Sequence, residues 1–219
     1  MSEAAALMDR MYRRQRHIYD FSRKYYLLGR DAMIAELAAR PGETILEIGC
    51  GTARNLILIA RACPRAQCYG LDVSVNMLET ARRAVARAGL GKRITLAHGD
   101  AAAFDASALF GRGRFEQIVI SYALSMIPRW RETLIRAVAA LAPGGSLHIV
   151  DFGDQSGLHP LFRMALNRWL AVFDVSPRRE LKSALGELAA GHGLSWRADD
   201  LFRGYAIKAS ILRPLASGS

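Results

Sequence analysis

The chain is poor in cysteine. Cys50, Cys63 and Cys68 make an odd number in no metal-ligand spacing, which argues against a disulfide framework or a metal site and for a reduced, cytoplasmic setting. The first residues are small and the charges come later, so the basic-then-apolar layout of a secretory leader is missing. No apolar run approaches the roughly 20 residues that a spanning helix needs. Any contact with a membrane is therefore expected to be peripheral, on its inner face. Internal repeats, low-complexity linkers and an aromatic-and-basic RNA motif are also lacking, so nucleic acid is not expected as a partner.

What is present is a globular composition. At 219 residues and 51% hydrophobic, the chain suits one domain with a well-buried core. Its formal charge of +10 favours an anionic partner: nucleic acid, an acidic membrane surface or an acidic small molecule.

From Ala4 to about Arg40 the apolar spacing is helical and the other face is rich in arginine. This stretch reads as an N-terminal cap over residues 1–40, ended by Pro41-Gly42. The main domain, 41–219, then alternates strands and helices. "TILEIG", "AQCYGLDVS", "ITLAHGD", "FEQIVISYAL" and "SLHIVDFG" read as strands, with helices between them. Alternation of this kind predicts a mostly parallel α/β sheet covered on both faces. A helical insert follows at about 157–190, and strands return near Leu194–Ala198 and Tyr205–Leu212.

Ligands of open α/β sheets sit beyond the carboxyl ends of the strands. Gly49 and Gly51 fall where the first strand must turn into a helix, and glycine there permits positive φ and close approach of a ligand. Asp72 ends the second strand about 20 residues on, where an acid binds ribose hydroxyls. Asp100 ends the third strand and could accept from an exocyclic adenine amine. A nicotinamide site prefers the full G-x-G-x-x-G, but Arg54 stands at its last position. The turn is E-x-G-x-G, which suits a phosphate-free adenosyl compound.

"ILEIGCGTARN", "YGLDVSVNML", "LAHGDAAAF", "FEQIVISYALSMI" and "LAPGGSLHIVDFG" resemble, in order and spacing, the motifs of class I S-adenosylmethionine-dependent methyltransferases. The resemblance implies a Rossmann-like fold with a seven-stranded sheet, and S-adenosylmethionine as cofactor with S-adenosylhomocysteine as product. It implies Gly49, Cys50 and Gly51 along the methionine part, Asp72 on the ribose, Val73 and Met77 against the adenine, Asp100 and Ala101 at its edge, and Ser121 near the sulfonium. Ala53 departs from the family's common third glycine.

"MYRRQRHIYDFSRKYYLLGRD", with "CGTARNL" and "SYALSMIPRW", is similar to the bacterial betaine-lipid N-methyltransferases. That resemblance implies methylation of the amine of diacylglyceryl-homoserine, three times, to the trimethylated lipid. A lipid head-group substrate, anionic membrane and the enzyme that makes diacylglyceryl-homoserine are then the expected partners. Aromatic faces suit the cationic products. Tyr19, also placed at the cofactor, and Tyr122 are the candidates, and His17 is a candidate proton acceptor. Arg30, Arg54 and Arg14 are candidates for the acceptor's carboxylate. The first helix and the segment Leu158–Lys182, with its apolar residues and arginines, suit a membrane surface. Rival readings are phosphatidylethanolamine N-methylation, small-molecule or RNA methylation, and a non-catalytic cofactor-binding subunit.

Overall fold

The computed structural model describes residues 27–37 and 42–215. In chain order the elements are α1 (Arg30–Glu36), β1 (Thr44–Ile48), α2 (Arg54–Ala62), β2 (Gln67–Asp72), α3 (Val75–Arg87), β3 (Ile94–His98), α4 (Ala106–Phe110), β4 (Phe115–Ser121), α5 (Trp130–Ala139), β5 (Leu141–Phe152), α6 (Pro160–Ala171), α7 (Leu181–His192), β6 (Ser195–Leu201) and β7 (Ala206–Leu212). The strands form one seven-stranded sheet in the order β3-β2-β1-β4-β5-β7-β6. β1 to β5 run parallel, and β7 is antiparallel to both β5 and β6. This is the Rossmann-like, mostly parallel seven-stranded sheet that the motif resemblance implies. The strand order reverses between β1 and β4, which opens a crevice at their carboxyl ends.

Every side chain of β1 is buried, as a strand covered on both faces requires. Successive residues face opposite layers. Ile45, Val119 and Val150 meet the layer holding Met33 of α1, Leu56 of α2, Leu78 of α3 and Leu170 of α6. Leu46, Ile118 and Ile149 meet the layer of Leu134 from α5 and Leu185 from α7. At about 1.5–3 kcal/mol for each fully buried aliphatic side chain, these two layers supply most of the drive to fold.

Several expectations are corrected. The helical pattern from Ala4 to Arg40 does not run unbroken through its described part. Gly29 adopts φ +82°, and α1 starts only after it. A Cβ on Gly29 would lie 2.7 Å from Leu201 Cδ1, so the chain turns where only glycine fits between it and the sheet. The third strand ends at His98, leaving Asp100 in the following loop. The expected helical insert is made of two helices, α6 and α7, the second running on to His192. The fifth strand begins at Leu141, already paired with Phe115, so "LAPGG" belongs to β5 and not to the helix before it. α4 is an addition, capped by the Asp105 carboxylate on Ser107 and Ala108 N–H. Among the described residues, no helix is long and apolar enough to cross a membrane.

Candidate active site

The turn after β1 is built from backbone. Gly49 and Gly51 have φ +73° and +52°. The N–H groups of Gly49 and Cys50 both donate to the Leu71 carbonyl, at 2.8 and 3.0 Å, which ties the turn to β2. A Cβ on Gly49 would lie 2.6 Å from Ala123 Cβ, so the turn packs directly against the chain leaving β4. Ala53, the N-cap of α2, is fully buried at φ +61°. An L-residue there costs roughly 1–2 kcal/mol, and its buried methyl offsets part of that.

Asp72 ties the turn after β1 to the start of α3. Its Oδ2 accepts from Gly51 N–H at 2.7 Å and its Oδ1 from Ser74 N–H at 2.9 Å. These two bonds fix the carboxylate at the end of β2, the position where folds of this kind meet a ribose. Ser74 in turn caps α3 through Met77 N–H. Asp100 is half-buried, its Oδ1 accepting from Ala102 N–H at 2.9 Å, beside the buried Ala101. The Val73 carbonyl lies 3.0 Å from His98 Nε2. Met77 is buried against Phe173. Ser121 Oγ is buried at the end of β4 and bonds to no described residue. Gly49, Gly51, Asp72, Val73, Met77, Asp100, Ala101 and Ser121 thus all border one rim.

Cys50 contributes only backbone. A Cβ on Gly70 would lie 2.8 Å from Cys50 Sγ, so the side chain points into the core, away from any ligand in the turn. Burial pushes its thiol well above the usual range, and it is neither nucleophile nor ligand.

The second half of the rim lies over β4, β5 and β7. Tyr122, at φ +51°, is buried, and its hydroxyl donates to the Leu28 carbonyl at 2.6 Å. Burial pushes the phenol pKa up, so the hydroxyl keeps its proton and the ring is what Tyr122 offers. That ring meets Phe152 edge-on at 4.8 Å, and Phe152 meets Tyr205 at 5.9 Å. Arg30 is 4% exposed and sits close enough for its charge to act on the Tyr122 phenol. Its one ion-pair partner among the described residues is Asp31, through Nε at 3.2 Å, and the Asp31 side chain is 77% exposed. Arg54, the alternative cation, is exposed at the start of α2. Tyr19, His17 and Arg14 lie outside the described residues.

Several further residues of the rim carry no role in the sequence reading. Asp151 is buried, with Oδ1 accepting from Phe152 N–H at 2.7 Å and Oδ2 from Ser125 N–H at 3.1 Å. Burial raises its pKa despite these bonds. Arg178 donates to the Leu124 and Ile127 carbonyls and pins the loop after β4. Glu47 accepts from Asn55 Nδ2 at 2.7 Å, joining β1 to α2 beneath the turn. Asp151 stood in "SLHIVDFG" and Glu47 in E-x-G-x-G, so strand-end acids were the available signal. The Arg178 bridge spans more than 50 positions and has no local signal.

A family model described as "Methyltransferase domain" matches residues 45–145. The ubiquinone/menaquinone biosynthesis C-methyltransferase UbiE of Cereibacter sphaeroides is 27% identical over 180 residues, covering 80% of this chain and 69% of that protein. The demethylmenaquinone methyltransferase of Geobacillus kaustophilus is 30% identical, covering 61% and 55%. Among solved structures, the phosphoethanolamine N-methyltransferase 2 of Haemonchus contortus, in complex with phosphomonomethylethanolamine and S-adenosylhomocysteine, superposes with a TM-score of 0.73 at 15% identity, covering 98% of this chain and 61% of that one. The chain is a class I S-adenosylmethionine-dependent methyltransferase. The two sequence relatives carry the names of a ubiquinone/menaquinone biosynthesis C-methyltransferase and a demethylmenaquinone methyltransferase, whereas the motifs lead to the expectation of a betaine-lipid N-methyltransferase.

The methyltransferase's rim suits its cofactor. Asp72 at the end of β2 and Asp100 in the loop after β3 suit a sugar's vicinal hydroxyls and an adenine amine. Ser121 Oγ, unbonded among the described residues, offers a polar contact at the rim, and the E-x-G-x-G turn suits a ligand without phosphate.

Proposed function

We propose that the methyltransferase acts on the amine of a lipid head group that also carries a carboxylate, namely diacylglyceryl-homoserine, giving the trimethylated betaine lipid. The observation that carries this reading is Arg30: a buried guanidinium, whose one ion-pair partner among the described residues is exposed, with its charge acting on Tyr122, the first ring of the Tyr122–Phe152–Tyr205 cluster. A buried cation favours a ligand anion through charge-assisted hydrogen bonds, and aromatic faces favour a methylated ammonium. One head group offers both charges.

On this reading Gly49, Gly51, Asp72, Asp100, Ala101 and Ser121 hold the cofactor, with Val73 and Met77 beside its base. When bound, S-adenosylmethionine supplies an electrophilic methyl group on a sulfonium. Arg30 fixes the acceptor's carboxylate and thereby the position of its amine. Asp151 holds Phe152 and the loop after β4 through its two backbone bonds, and Tyr122 anchors Leu28 and so the start of α1. An α-amino group titrates near about 8, so a useful fraction is neutral at ordinary pH once oriented.

The relatives' names favour a second reading, methylation of a quinone-ring carbon. Purified protein is incubated with labelled cofactor and, separately, diacylglyceryl-homoserine, phosphatidylethanolamine and a demethylmenaquinone in mixed micelles. The proposal expects label in the first lipid and little in the others. Label in the quinone alone, or in phosphatidylethanolamine alone, overturns it.

A further inference from the structure

The outward face of α6 is apolar. Leu161, Met164 and Val172, the last just beyond the helix, are 68, 65 and 63% exposed, and Phe162, Ala165 and Ala171 are exposed with them. Arg168 is exposed among them and Arg163 is half-buried beside them, and the helix contains no acid. Its inward face is apolar too. Leu166 and Leu170 enter the core, and Trp169 meets the ring of Phe173 at 5.0 Å. A helix whose outer face met only water would be polar there.

A second apolar projection stands beside it. The β6–β7 turn holds Phe202 and Arg203 at φ +53° and +59°, a conformation that L-residues seldom adopt. Phe202 is 56% exposed and Arg203 is exposed. The turn is latched to the segment leading into α6: Gly157 N–H donates to the Arg203 carbonyl and Gln155 N–H to the Gly204 carbonyl. The turn is therefore fixed beside the segment that starts α6, and Trp169 on the inward side of α6 packs against Met77 and Phe173.

We propose that the outer face of α6 and the Phe202–Arg203 turn dock the methyltransferase onto a bilayer containing anionic lipid. Apolar side chains of this size reach the boundary between head groups and acyl chains, with arginines at head-group level. Arg163, Arg168 and Arg203 outnumber the flanking acids Asp154 and Asp174, and the net charge of +10 points the same way. A second copy fits less well, because a two-fold contact would bring this arginine-bearing patch against itself. The role of the surface, presenting a lipid head group to the rim, rests on the proposed acceptor; its affinity for a bilayer does not.

The test is sedimentation of the full chain with vesicles of phosphatidylcholine and phosphatidylglycerol, without cofactor or acceptor. Binding is expected to the mixed vesicles, to weaken with salt, and to fall roughly tenfold or more in the combined variant Leu161→Ser, Phe162→Ser, Phe202→Ser. Calorimetry with S-adenosylhomocysteine must show the variant's cofactor affinity unchanged, which establishes that it is folded. Wild type left in the supernatant, or a folded variant that binds like wild type, overturns the proposal. So does a wild-type dimer that the variant breaks into monomers. Turnover in micelles without vesicle binding removes the docking surface and leaves the acceptor reading standing; vesicle binding without turnover of the homoserine lipid does the reverse.

Discussion

The two halves of the rim use buried carboxylates differently. Asp72, at the end of β2, accepts two backbone N–H groups, from the glycine turn after β1 and from the cap of α3. Asp151, at the end of β5, also accepts two backbone N–H groups but is buried to 1% beneath the aromatic cluster. On the proposed reading the first meets the ligand and the second holds the residues that do. On the cofactor side Asp72, Asp100 and the backbone turn would form the site. On the acceptor side Asp151 would be scaffold, and the proposed contacts fall to a buried arginine and three rings.

That contrast breaks most sharply at Asp72. Replacing it with alanine removes the charged hydrogen bonds to Gly51 in the turn and to Ser74 at the cap of α3, and the proposed acceptors for the ribose, each worth about 1.5–3 kcal/mol. S-adenosylhomocysteine affinity is expected to fall roughly 100-fold or more by calorimetry; unchanged affinity would move the cofactor elsewhere. Arg30→Gln is the counterpart on the other side. It should lower kcat/KM for the homoserine lipid by roughly 10–100-fold, the range of a lost charge-assisted contact, and leave cofactor affinity intact. A fall in cofactor affinity of similar size would place Arg30 in the wrong half.

Asp151 sharpens the comparison through pH. Its folded pKa is raised above the unfolded value near 3.8, so the folded protein holds the proton more tightly than the unfolded chain does. It therefore contributes stability below about 3.8 that is lost as pH rises through the folded pKa. Urea midpoints of wild type and Asp151→Asn, compared from pH 4 upward, should show the wild-type advantage shrinking as pH rises. A constant difference would mean Asp151 does not titrate there. The smallest effect is expected at Ala53→Gly. Relief of the left-handed strain, about 1 kcal/mol, is offset by loss of a fully buried methyl, about 0.8 kcal/mol. The urea midpoint should barely move, and cofactor affinity should not.

The two halves also differ in how far the sequence disclosed them. The cofactor side is written in local signals. An apolar run stops at paired glycines, and an acid follows about 20 residues later, so Gly49, Gly51 and Asp72 can be placed from spacing alone. The β5–β7–β6 edge was legible as strands after a helical insert. The acceptor side depends on long-range contacts that no window of sequence contains. Arg30 stood among many arginines, and only the fold separates it from the exposed Arg54. Tyr205 gains meaning by meeting Phe152 across the sheet. Cys50 sits in the middle of the turn motif, yet the close approach of Gly70 turns its side chain inward. The break at Gly29 was hidden too, because its cause is Leu201, more than 170 positions away.

The central claim is that Arg30 reads the acceptor's carboxylate. The most direct measurement compares turnover of diacylglyceryl-homoserine with that of its carboxyl methyl ester, in wild type and in Arg30→Gln. The account predicts a strong preference for the acid in wild type and none in the variant, because the ester and the substitution remove the same interaction. Wild-type protein that methylates acid and ester equally well would contradict it.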